Sequence, residues 1–370
     1  MADKRLKAWG NNRAGQLGDG SWAAQHTRAT AVLGLTGTEV LGIAAGGAGA
    51  ATGHGLALLT DRTVRSWGAN GSGQLGDGTL LGHNAPGPVR HLVDVTDVAA
   101  GGAHSLALHE DGTVWAWGDN AHGQLGTGSG TGSGVPVRVA GLDRVIAIAA
   151  GLHHNLALRE DGTVWAWGHN AKGQLGDGTS AGRSVPARVP GLGAVTRIAA
   201  GAHHSLAVTG GTAAGGGTAV KAWGFNAAGQ LGDNTTINRY TPVPTRGSWS
   251  GGVVRIAAGG HHSLAVSGDD HRLTAWGQNT SGQLGDGTTT FRTTPVPVPG
   301  LTGVRLVAGG REHTVVLLAH GAVRSCGGNG SGQLGNGGTA DSSTPVAALA
   351  DLAPADRIAA PVGGDFSLVH

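Results

Sequence analysis

The sequence predicts an all-β protein, a seven-bladed β-propeller of four-stranded antiparallel blades whose last blade joins the N- and C-terminal halves of one repeat. Three observations carry this. Glycine supplies 72 of 370 residues with no Gly-X-Y period, and each glycine inside a helix costs roughly 1 kcal/mol relative to alanine. The tetrad Gly-Gln-Leu-Gly occurs seven times, starting at Gly15, Gly73, Gly123, Gly173, Gly229, Gly282 and Gly332. The chain also opens and closes in mid-repeat, which suits a ring, because joining two halves removes two unpaired sheet edges.

Each blade can be built from two recurring elements. Trp-Gly-x-Asn precedes the tetrad at Trp9, Trp67, Trp117, Trp167, Trp223 and Trp276, with Cys326 in the last copy. Upstream lies a stretch near Ala-Ala-Gly-x-x-His-Ser-Leu-Ala-Leu, with His54, His104, His154, His204, His262 and His313. A degraded copy, Phe366-Ser367-Leu368-Val369, ends the chain. In residues 145–189 the pattern predicts a first strand over 145–150 and a second over 154–158. An Asp161-Gly162 hairpin turn follows, then a third strand over 163–167. A short outer strand over 186–189 completes the blade, with Pro186 at its start. The Ala-Ala-Gly strand is expected innermost, where only small residues fit beside a channel. The blades are expected at about 35–93, 94–142, 143–192, 193–250, 251–301, 302–350, and 351–370 joined with 1–34, all within a single domain 1–370. Closure is expected between residues 5–10 and 365–370.

Composition excludes several roles. The formal charge is only +2, and no Lys/Arg stripe of a nucleic-acid binder is visible. No apolar run of about 18 residues exists to span a membrane. One cysteine, Cys326, cannot form an intrachain disulfide. With no apolar leader in the first residues, a cytoplasmic address is expected. No nucleic-acid or membrane partner and no cofactor is expected, and the chain is expected to be a monomer.

The text AAGLHHNLALREDGTVWAWGHNAKGQLGDGT and its sister copies resemble the bacterial branch of the regulator of chromosome condensation family, over essentially the whole chain. The resemblance implies the propeller fold and use of one end as a docking surface. Roles in that family range from nucleotide exchange on a small GTPase to β-lactamase inhibition and UV-B sensing. The photoreceptor's tryptophans, carried in Gly-Trp-Arg-His-Thr runs, have no counterpart here: Ala103, His153, His203 and His261 stand before the scaffold His, with Gly102, Leu152, Ala202 and Gly260 before them.

The repeats offer an internal comparison. Residues present in every blade read as scaffold: the Asn of Trp-Gly-x-Asn, the tetrad Gln, and the His of His-Ser-Leu, expected buried and hydrogen-bonded. Cys326, in a tryptophan place, reads as an inert buried thiol. Strand direction puts the Gly-x-x-His and Trp-Gly-x-Asn loops on one face. There the residue before the scaffold His varies: Gly53, Ala103, His153, His203, His261, Glu312 and Asp365. The neighbouring loops add Asp119, His122, His169, Lys172, Phe225 and Gln278, and Arg311 adds a positive charge. One half of the mouth is therefore expected polar and titratable, and the other, including residues 46–53, small and open.

Three readings of this cluster stand open. The histidines could be solvated by-products of repeat duplication. His153, His203, His261, Glu312 and Asp365 could perform acid–base catalysis in a small-molecule lyase, isomerase or cyclase. His153, His203 and His261 could ligate a metal, although three blades would have to converge to about 2 Å from one ion. Against enzymes stands a recognition scaffold binding a protein or ligand through Arg311, Asp119, His122, His169, Lys172, Phe225 and Gln278, the reading the sequence favours. Aromatics for a protein interface are few: Phe225, Trp22, Tyr240 and Phe291. Off the repeat, Trp249 reads either as a surface anchor or as a local plug, and the run 210–217 as a lengthened second–third hairpin on the opposite face.

Overall fold

The computed structural model describes residues 5–35, 40–49, 51–210, 218–348 and 355–370. Its strands form seven four-stranded antiparallel sheets, each meandering from an inner to an outer strand. In the blade read above, the strands are Val145–Ala150, His154–Arg159, Val164–Gly168 and Arg183–Arg188. The innermost strands neighbour one another around the axis, as their small residues suggested. No helix of the described residues is long and apolar enough to cross a membrane.

The fourth strand departs from expectation. It begins three residues earlier, so Pro186 sits inside it. The register slips between Ala166 and Gly168, which pair with Ala187 and Arg183. A proline lacks the N–H that an ordered ladder needs, and an irregular outer strand tolerates it.

The ring closes as the half-repeats required. Ile358–Ala359 and Phe366–Val369 come from the end of the chain, and Lys7–Asn11 and Gln25–Ala31 from its start. Ala8 pairs with Leu368, Trp9 with Ser367 and Gly10 with Phe366.

The hydrophobic core lies between blades. Trp167 packs with Val145, Ile148 and Ala157 of its own blade against Leu106, Val114 and Leu125 of the preceding one. Burial of each aromatic therefore drives docking of neighbouring sheets. A polar lattice runs alongside. His104 Nε2 lies 2.7 Å from the Oδ1 of Asn155 in the next blade. An amide oxygen can only accept, so Nε2 carries the proton. The Asn155 Nδ2 in turn donates to the Gln124 carbonyl, which also accepts from Trp167 Nε1. Ser105, Ser205, Ser263, Thr314 and Ser367 take the place of Asn155 in the other junctions. All six scaffold histidines are wholly buried.

Trp249 resolves as a plug. It is half-buried, packs on the cluster containing Leu206 and Val253, and lies 6.0 Å from the Trp276 ring. Residues 211–217 of the lengthened hairpin lie outside the described residues.

Candidate functional site

The Gly-x-x-His and Trp-Gly-x-Asn loops share a face, and local bonding explains why. Asn170 Oδ1 accepts from Leu175 N at 2.9 Å, while its amide donates to the carbonyls of Thr179 and Ala181. Gln174 Oε1 accepts from Lys172 N, and its Nε2 lies 2.9 Å from His169 Nδ1. The invariant side chains thus fold the loop and present its variable residues to the same surface. Gly168 holds the turn between them at φ 102°, where a Cβ would strike the His153 carbonyl.

Five variable histidines and Phe225 form one continuous arc across three blades and the loop of a fourth. His122 stacks obliquely on His153 and His169, with centroids 5.0 and 4.6 Å away. His169 lies 6.4 Å from His203, and His203 is stacked on His261 at 6.1 Å. Phe225 abuts His261 at 5.4 Å, with Lys172 Nζ 5.8 Å from its own ring centroid. Burial pushes the His203 imidazole down to about 4, helped by His261, and it lowers His153, His169 and His261 as well. Glu312 opposes that shift at His261, and Asp119 opposes it at His153. These four rings are neutral at pH 7. The Nδ1 atoms of His153, His203 and His261 are buried without a hydrogen-bond partner.

The other candidates separate by role. Glu312 accepts from Ser281 Oγ at 3.2 Å. Asp365 is buried, and its carboxylate is 3.2 Å from Arg311 Nε. Burial raises the Asp365 carboxyl despite that arginine. Asp119 accepts from Gln124 Nε2 at 2.7 Å, as scaffold, and Gln278 donates to Thr280. Among the described residues, no three His, Cys, Asp or Glu side chains converge to hold a metal ion.

The loops of the mouth are tied to one another round the ring. Backbone hydrogen bonds run from loop to loop: Gly47 N to Gly101 O, Gly102 N to Leu152 O, Leu152 N to Ala202 O, and Ala202 N to Gly259 O. Gly260 N to Gly310 O and Arg311 N to Gly364 O extend the series, and Ala48 bridges to Gly363. Loops rich in glycine and alanine approach closely enough for each to bond the next around the ring, where larger side chains would hold them apart. A cavity of only about 150 Å³ is left beside His261 and Arg311. A polar groove of about 440 Å³ flanks His122 and His169, between two blades.

Sequence reading named Trp22 and Phe291 on this face but missed Leu80, Leu81 and Ile237. All five are exposed and form an apolar rim. They stand ten to twelve residues after the scaffold asparagines, so aligning the repeats on Asn would have found them.

Comparison with known proteins adds relatives. The structure superposes on human WBSCR16 with a TM-score of 0.85 at 25% identity, covering 100% of this chain and 98% of that one. It superposes on Prp20p of Saccharomyces cerevisiae at 0.84 and 26% identity, covering 99% and 90%. An 89-residue stretch, 24% of the chain, is 33% identical to the ultraviolet-B receptor UVR8 of Arabidopsis thaliana. That stretch spans 20% of UVR8's length. With seven blades, a closing blade shared by both ends, and a match to the RCC1-like domain over residues 3–369, the chain belongs to the RCC1-like domain family.

Proposed function

We propose that this propeller is a recognition scaffold that docks a protein partner on the histidine face. The observation that carries this is the arc from His122 to His261 with Phe225, half-buried for most of its length and rimmed by exposed Trp22, Leu80, Leu81, Ile237 and Phe291. Exposed apolar side chains around a polar centre suit a broad interface. The cavity beside His261 and Arg311, about 150 Å³, is well below the 300–1,000 Å³ usual for enclosing a small substrate, which weighs against a lyase, isomerase or cyclase centred on those residues. The solved relative Prp20p was characterised for its binding to Gsp1p and histones, which supports a protein partner of some kind.

The test is a photocrosslinking residue at position 203, with a second at the opposite-face position 305, in the full chain. A partner captured at 203 should be lost on His153→Ala with His261→Ala, and on Leu81→Asp, while the protein's melting is unchanged. Capture that survives all of these substitutions would sink the proposal.

A further inference from the structure

We propose that a cavity on the face opposite the histidines binds a small organic acid, its carboxylate held by Arg197 and Arg255 and its apolar body by the aliphatic wall between blades. The cavity measures about 330 Å³ and is lined by Arg197, Val254, Arg255, His271, Gly303, Val304, Arg305 and Ala319. These residues come from three consecutive blades and lie at the strand ends remote from the histidine loops. Arg197 and Arg255 hold the same register position, the first pair after the irregularity in the inner strand: Arg197 opposite Val208, Arg255 opposite Val266. The corresponding places elsewhere hold Gly42, Asp97, Ala147 and Leu306.

The charges of this cavity are not spent internally. Among the described residues Arg197 has no hydrogen-bond or ion-pair partner. Arg255 donates only to the adjacent Val254 carbonyl, at 2.7 Å. Arg305, on the rim, pairs with Asp356 at 2.8 Å. Asp97 is bonded to Val98 N. Although its surface is exposed, the protein crowding it pushes its carboxyl up to about 6, with no cation beside it to hold it down. Two guanidiniums near enough to repel each other, without a carboxylate between them, attract an anion that both can bond. Val254, Val304 and Ala319 supply the apolar surface that a bare inorganic ion would leave unused.

The probe is 3-phenylpropionate, titrated calorimetrically into the full chain beside its neutral amide, inorganic phosphate and sulfate. One-to-one binding with a Kd of about 1 mM or tighter is expected for the acid, and at least tenfold weaker binding for the amide. Arg197→Gln and Arg255→Gln should each weaken it at least tenfold. Ala319→Phe, at an exposed hairpin position, should block the site with both arginines intact and so answers for any arginine variant that fails to fold. His203→Ala on the far face should leave binding unchanged. Equal affinity for acid and amide, phosphate or sulfate binding as tightly as the acid, or full binding by Ala319→Phe would overturn the proposal.

Discussion

Gly151 shows how closely a single residue is constrained by its neighbours. A Cβ there would clash with the edge of the His154 ring and lie 2.5 Å from the Gly201 carbonyl oxygen. The other Ala-Gly glycines meet their own blade's histidine in the same way, as at Gly101 and Gly259. The glycine is needed for the space taken by an imidazole, not for its backbone freedom. Gly151→Ala should cost about 2–3 kcal/mol, read as a lower denaturant midpoint with an unchanged slope. A midpoint equal to wild type would mean that the His154 ring can move, and its bond to Ser205 with it. Cys326 makes a second prediction at this scale. It fills a tryptophan place, with Sγ 3.6 Å from the Gln283 carbonyl, and burial pushes its thiol up to about 12. A disulfide reagent at pH 8 should leave it untouched in the native protein and modify one thiol per chain after unfolding. Rapid native modification would place that junction in an open state.

At the level of the strand, the closing blade concentrates the dependence of the ring on long-range pairing. Phe366 and Leu368 are wholly buried, and Phe366–Val369 is hydrogen-bonded to both Ile358–Ala359 and Lys7–Asn11. Removing residues 365–370 should cost several kcal/mol through lost apolar burial alone. It should lower the temperature of the whole melting transition in calorimetry; a truncated chain that melts like the full one would refute a closed ring. This closure was readable from sequence because half-repeats have a definite phase. The inner and third strands were readable too, since their alternation and flanking glycines recur. The outer strand was misread at Pro186, because proline signals an edge but not where a slipped register begins. In the candidate site, residue types and the shared face were legible from repeat comparison. What escaped was contact between neighbouring blades. Nothing in a one-dimensional repeat says that Ala48 will reach Gly363, or that Arg197 and Arg255 will line one cavity.

For the molecule as a whole, the six scaffold histidines predict a steep response to acid. Burial pushes His54 and His262 down to about 3 and His104 and His313 to about 4, and holds His154 and His204 well below the ordinary value of 6.5. Their folded pKa values lie below the unfolded ones, so the unfolded chain binds more protons in acid. Stability is full above pH 6.5 and falls as pH drops below it, by about 1 kcal/mol per pH unit from each histidine. Six together should collapse the fold within roughly one or two units. Urea midpoints should be level between pH 7 and 8 and fall sharply between pH 6 and 5. A flat profile down to pH 5 would mean that these rings are protonated in place. The loop-to-loop bonds of the histidine mouth carry a different consequence. They tie each blade to the next in a closed hoop, from Gly47 to Gly101 and onward to Gly364, with Ala48 bridged to Gly363. A hoop has no free end, so a partner seated on it meets loops held at fixed spacing.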